Sequence, residues 1–538
     1  MTTRIENATV WTGQRLPDGG VFTTDAVAFD GDAIVALGDA ARALPATDVV
    51  DAGGSFVLPA FRDGHVHAIF AGLEREYAPV RGHSTPQETA RAVGEWARAH
   101  PEAEWILGLG FDHTLAPNGV FHAAWLDAEV PDRPVYLQAT DYHTVWVNSE
   151  AMRRAGYSAA TPQPHDGEIV RDDAGAPIGT LREWGAWRPV RSLMPAPPPA
   201  LAAEALRYST AALASAGISW VQDAWNEPGD VDSWLAAHAA NALSVRADLA
   251  LWADPNSWRQ QLDGMVTSRA RADEAGMRDG RRMLSATTVK FFADGVFESA
   301  TAALLEPYHD CPHSHGMPNW DAAELAAAVT AVDALGFTPH IHAIGDAAVR
   351  NALDALEAAA RTNGRRDSRP TIAHVQLADA ADIPRFAELG VIANYEPLWA
   401  RMDSWQTELT LPRIGRARTD QQYRMRSMLD SGAIVSFGSD WPVSDYAPLA
   451  GIAIATTRKL TADSPTWVPG ECITVDEALM AYTVGSAFQS KDPRGGALRP
   501  GARADIAMLA TDPRTVDPFA IGDIAVTGTW SDGRRTHG

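Results

Sequence analysis

The chain has 538 residues, more than a single hydrophobic core organises, so two or three structural units are expected. Its formal charge of -23 excludes the basic footprint that a nucleic acid or an anionic membrane requires. Two cysteines, Cys311 and Cys472, exclude a disulfide framework and a thiolate-held cluster, which leaves histidine, carboxylate or carbamate as ligands for any metal.

From the N-terminus, short strands are predicted at Ile5–Trp11, Asp25–Asp30, Ala33–Leu37 and Ser55–Leu58, separated by Gly, Asp and Pro turns as in a small antiparallel unit. No basic-then-apolar leader opens the sequence and no run of about 18 apolar residues follows, so a soluble, cytoplasmic protein is the expectation. The same strand texture returns at Gly501–Ala510 and Ile524–Trp530, so residues 1–57 and 495–538 are expected to form one β-sandwich. Between them the apolar run Val57–His67 ends in His65 and His67. In a strand, side chains at i and i+2 share a face, so both rings would aim at one point.

Residues 85–199 read as an α+β insertion. A helix is predicted over Pro86–Arg98 and strands over Trp105–Leu109 and Pro134–Ala139; the polar stretch Asp141–Asn148 follows, and Pro195, Pro197, Pro198 and Pro199 close the segment. Beyond it the pattern turns regular. A helix over Ala200–Ala216 leads into strands at Gly217–Asp223, Leu243–Leu251, Thr287–Phe292, Phe337–His342, Thr371–His374, Val391–Tyr395 and Ala433–Phe437, with helical segments at Ala322–Leu335, Ala347–Arg361 and Ala380–Leu389. With the His65 strand that makes eight in a βα rhythm, which predicts an α/β fold: a (β/α)8 TIM-like barrel over residues 58–84 and 200–494. Such a barrel keeps its chemistry at the C-terminal strand ends.

The polar residues at those ends are His65 and His67, Lys290, His342, His374 and Asp440. Neutral imidazoles with a carboxylate suit zinc, and manganese, iron and nickel also fit. A barrel-facing ammonium beside a cation would be repelled, whereas the carbamate formed from Lys290 and carbon dioxide is an anion that can bridge two metals. Water between them would lose a proton toward neutral pH, and Asp440 is placed to accept it and hand it to the leaving nitrogen. This predicts hydrolysis of an amide-type C–N bond by a metal-activated hydroxide, with Asp440 as general acid/base.

Several stretches together resemble the amidohydrolase superfamily, and within it the branch of N-substituted formamide deformylases and related metal-dependent hydrolases. They are Asp63–His67, Val289–Gly295, His340–Val349, Ile372–Val375, Ser436–Val443, Glu477–Ala487 and Leu498–Ile506. The resemblance implies that His65, His67 and Asp440 hold one divalent ion, that His342 and His374 hold the other, and that N6-carboxylated Lys290 bridges them, zinc being the expected metal. It implies a small N-substituted amide or formamide as substrate and a homodimer as the expected assembly. Arg62 departs from the branch's usual hydrophobic residue at that point and is expected to contact the sandwich. Weaker substrate-side candidates are His143, Asn148, Asp294 and Glu298, with Trp184, Trp187, Trp225 and Trp399 as apolar walls. The rival readings are a hydrolase of cyclic amides, carbamates or esters on the same metals, and a catalytically silent binding protein, disfavoured because no ligand or base position is lost.

Overall fold

The runs of Val, Ile, Ala and Phe that punctuate the chain become a single parallel sheet, as expected of strands buried on both faces. A computed structural model describes residues 2–538. In it β1 (Phe61–Val66), β2 (Ile218–Asn226), β3 (Arg246–Trp252), β4 (Leu284–Phe292), β5 (Thr338–Ala343), β6 (Thr371–His374), β7 (Ile392–Tyr395) and β8 (Ile434–Phe437) pair in sequential order. Every pairing is parallel, and helices alternate with the strands: the fold is a (β/α)8 barrel.

The seam between β8 and β1 is closed by Asp63. Its carboxylate accepts the backbone N–H of His65 at 3.0 Å, the N–H of Ser439 at 3.0 Å and the Ser439 hydroxyl at 2.6 Å. The carbonyl of His65 in turn accepts the Asp440 N–H at 2.7 Å. Gly438 lies across this seam, where a Cβ would stand 2.7 Å from the His65 nitrogen, so only glycine lets the strands approach. One side of the metal-binding candidate set, His65 and Asp440, is thus fixed by the same hydrogen bonds that shut the barrel.

Two runs that read as single strands are each divided. Val57–His67 splits at Ala60: Phe56–Pro59 pairs antiparallel with Ile506–Leu509 in a six-stranded sheet, whereas Phe61 onward belongs to the barrel. Pro59 offers no N–H, and the Ala60 N–H goes to the Asp505 carbonyl, so the chain changes sheets there. Likewise Ile5–Trp11 splits at Asn7, whose φ is 56°, into Thr2–Glu6 and Thr9–Arg15, which lie in different sheets. Strands from both ends of the chain therefore share one sheet beneath the barrel. Arg62 ties the two layers together, donating to Asp492 at 2.7 Å and Asp505 at 3.1 Å, as a buried charge must.

The insertion is built on a five-stranded sheet in the order Glu168–Arg171, Pro177–Arg182, Thr144–Val147, Val135–Ala139, Ile106–Phe111. Its helix Pro86–Ala99 begins where predicted, with the Thr85 hydroxyl accepting the Glu88 N–H as N-cap. No described helix is long and apolar enough to cross a membrane.

Candidate metal centre

The imidazoles of His65, His342 and His374 each have one nitrogen engaged by the protein and one left for a ligand. His65 ends β1; its Nδ1 lies 2.9 Å from His340 Nε2, and its Nε2 faces Lys290 Nζ and Asp440 Oδ1, both at 3.4 Å. His374 ends β6; its Nδ1 donates to Glu396 Oε2 at 2.8 Å and its ring stacks on Trp399. His342 near the end of β5 gives its Nε2 hydrogen to the Gly295 carbonyl at 3.1 Å, which leaves Nδ1 for a ligand. His67 lies just beyond β1, with its Nε2 2.9 Å from Asp440 Oδ1.

Asp440 Oδ1 and His67 Nδ1 are buried without a hydrogen-bond partner, since the His–Asp approaches are close but unaligned. The candidate ligand atoms of His65, His374 and Asp440 all lie within 4.8 Å of one another. This trio cuts across the expected division of ligands, which put His374 with the second ion. Buried acceptor atoms lacking donors are costly unless something positive meets them, and this donor set fits a divalent cation.

Burial sets the protonation states. It drives His65, His340 and His342 well below the usual histidine value and His374 down to about 3, so these rings keep lone pairs available at neutral pH. Burial also lowers the Lys290 ammonium to about 7, against the opposing charges of Asp440 and Glu396. The Lys290 amine sits 4.5 Å over the Phe292 ring, and no ion pair to a carboxylate accompanies it among the described residues. Asp440 goes the other way: burial would raise it, but His67, His374 and Lys290 hold it below the ordinary carboxylate range.

Above these groups opens a cavity of about 610 Å³. Trp184, Trp225, Phe292 and Tyr142 contribute aromatic lining, and Trp399 stacks on His374. His143 and Glu298 also line it, Glu298 accepting the Thr410 hydroxyl at 3.1 Å. Three of the sequence candidates stand elsewhere. Asn148 caps the helix Ser149–Arg154: its Oδ1 accepts from Val135 and Ala151 and its Nδ2 donates to the Val130 and Arg133 carbonyls, so no valence is left for a substrate. Asp294 is enclosed, accepting the N–H groups of Ala303, Ile344 and Gly345, with His342 Nε2 3.6 Å away; its hydrogen bonds tie the β4 end to the turn after β5. Trp187 packs behind Trp184.

Four residues that sequence reasoning passed over shape the centre. His340 repeats on β5 the His-x-His spacing of β1, a signal that was present. Asp63 stood inside a quoted stretch without a role. Glu396 and Glu183, the partners of His374 and His143, follow strand ends as any acidic residue does and carry no local signal.

A family model described as "Amidohydrolase family" matches residues 48–537. The chain belongs to that family, a class of metal-dependent hydrolases, and is an enzyme that hydrolyses C–N bonds. It is 30% identical over 475 residues to the protein LONG AFTER FAR-RED 3 of Arabidopsis thaliana, covering 86% of this chain and 79% of that one. It is 27% identical over 507 residues to an N-substituted formamide deformylase of Arthrobacter pascens, covering 91% and 90%. Among solved structures, a metal-dependent hydrolase from Pyrococcus furiosus superposes with a TM-score of 0.72 at 25% identity over 96% of this chain and 100% of that one.

Proposed function

We propose that the protein hydrolyses a small N-substituted amide or formamide with a centre of two divalent ions, zinc best suited to the donors, held by His65, His67, Lys290, His342, His374 and Asp440. The reading rests on one observation above the rest: buried, uncharged imidazoles and an unpartnered carboxylate oxygen converge within 4.8 Å at a cavity walled by aromatic side chains. When bound, divalent metal at this site supplies Lewis acidity and lowers the pKa of water.

The remaining chemistry belongs to the chain. Lys290, neutral in part near pH 7, adds its Nζ lone pair to carbon dioxide and loses a proton, which turns an unpaired buried cation into an anion beside the ligands. Asp440, through the carboxylate oxygen not committed to an ion, accepts the proton released as water attacks the carbonyl carbon, then delivers it to the nitrogen as the C–N bond breaks. Glu396 and His340 hold the His374 and His65 rings so that the free nitrogens face inward. The wall of Trp184, Trp225 and Phe292 excludes water from an apolar N-substituent, which favours an aromatic one.

The test pairs metal analysis with turnover. Purified protein should carry zinc and release amine from N-benzylformamide faster than it opens hydantoins, lactams or lactones, and Asp440→Asn should keep the metal while losing turnover. Protein reconstituted with zinc that stays metal-free, or that opens only the cyclic compounds, would defeat the reading.

A further inference from the structure

His143 reaches the cavity from the insertion, not from the barrel, and its ring is fixed from two sides. On the backbone, Asp141 Oδ1 accepts the N–H of His143 and of Thr144, each at 3.0 Å, which turns the chain just before the strand Thr144–Val147. On the ring, Nδ1 lies 2.9 Å from Glu183 Oε2, and the Glu183 N–H donates back to the His143 carbonyl at 2.9 Å. Glu183 is fully buried, its other oxygen accepts the Thr301 hydroxyl, and its φ is 61°. Non-glycine residues take such a φ only where their surroundings impose it.

Glu183 therefore acts as an acceptor toward both neighbours. It has no Arg or Lys partner among the described residues, and a buried carboxylate calls for a positive group at contact. The His143 ring is that group. Its Nε2 has no hydrogen-bond partner in the protein and opens on the cavity beside His342, with ring centres 5.3 Å apart. Asp440, against His67 of the β1 end, lines the same cavity. A carbonyl group seated in that cavity has both a proton acceptor for attacking water and an N–H donor within its walls.

We propose that His143 is a catalytic residue that donates a hydrogen bond from Nε2 to the substrate's carbonyl oxygen as that oxygen gains charge, and that Glu183 is the positioning residue that aims it. The proton stays on the ring throughout; the oxygen's charge is stabilised and then returned when the C–N bond breaks. This rests on the acyl-hydrolase reading of the site but not on which acyl compound is cleaved.

The experiment measures kcat, KM and zinc content for H143A, H143Q and E183Q holoenzymes on N-benzylformamide, with and without added imidazole. Loss of one such donor lowers kcat by about 10²- to 10³-fold. H143A should show that fall with KM changed less than about threefold and zinc content unchanged, imidazole should restore part of kcat, and E183Q should fall in the same direction by a smaller factor. E183Q, which keeps side-chain volume, carries the test if H143A does not fold, and H143Q, whose amide N–H can itself donate, should fall less than H143A. Retention of kcat within about threefold in folded H143A or in E183Q, or zinc loss in proportion to activity, overturns the inference. If the wild type opens only lactams or lactones, the amide reading falls, and the same variants assayed on those carbonyl compounds decide the inference separately.

Discussion

Glu396 offers the sharpest test of how the protein prepares His374, a proposed metal ligand. Its Oε2 accepts from His374 Nδ1 at 2.8 Å, its Oε1 has no partner, and burial pushes its carboxyl well above the ordinary range. Glu396→Gln preserves the shape and leaves behind the imidazole a group that cannot ionise when a cation binds. A buried hydrogen bond to a charged group contributes roughly 1.5–3 kcal/mol. At about 1.4 kcal/mol per tenfold change, that is roughly 10- to 150-fold in zinc affinity, in line with the 10–100-fold typical of partners behind metal-bound histidines. The fold should not suffer: without metal, the variant no longer desolvates an acid with an unpaired oxygen, so its unfolding midpoint should stay level or rise. The assay is zinc competition against a chromophoric chelator, alongside thermal unfolding of both apo-proteins. A dissociation constant within about twofold of wild type would refute the orienting role, and so would an affinity loss matched by collapse of the apo fold.

Lys290→Ala should lower zinc content and turnover together, and added acetate, a small carboxylate that fits the vacated space, should restore part of both; metal content at the wild-type level would remove Lys290 from the centre. Asn148→Ala deletes a helix cap and strips partners from buried backbone groups, so stability should drop by roughly 2–4 kcal/mol in denaturant titrations. Its kcat should hold, and a kcat loss at unchanged stability would return Asn148 to the substrate. At the barrel base, burial acts to raise Asp492 and Asp505, but Arg62 and Arg503 outweigh it at Asp492 and Arg246 outweighs it at Asp505, so both sit below their usual 3.8. Carboxyls lowered in the fold contribute stability above the unfolded value and lose it as pH falls through the folded one. Unfolding followed by circular dichroism should therefore steepen below about pH 4, and Asp492→Asn should flatten that limb; an unchanged acid limb would contradict the assignment.

The barrel was legible because its strands face apolar neighbours on both sides and so appear as uninterrupted hydrophobic runs. The run expected at Leu243–Leu251 lies at Arg246–Trp252, and that at Thr371–His374 coincides with β6. The ligand-type residues were legible for a related reason: a histidine closing such a run conflicts with its surroundings. What could not be read depends on contacts distant in sequence. The change of sheet at Ala60 is set by the Asp505 carbonyl, more than 400 residues away, and the cavity wall around Trp405 and Gln406 is an irregular helical segment without apolar periodicity. Asn148 misled because a polar residue in a conspicuous stretch looks the same whether it meets substrate or caps a helix.

The left-handed backbone around the cavity explains how these scattered side chains reach one point. His374, Val375 and Asp440 have φ values of 74°, 43° and 53°, and Tyr142 and Glu183 on the insertion have 59° and 61°. Such conformations cost a non-glycine residue on the order of 1–2 kcal/mol each, and glycine would relieve them at once. Glycine cannot serve at four of the five, because each side chain is a proposed ligand, a wall or a positioning group. Val375 carries no such chemistry, yet it is β-branched, buried and least suited of all to its φ. Its conformation is therefore imposed by the turn that leaves His374 facing the cavity, while Glu396 holds the ring and the closed seam holds Asp440. The strain is sustained by hydrogen bonds within the protein, from the His374 ring to Glu396 and from the Asp440 N–H to the His65 carbonyl, which bring these side chains to one point.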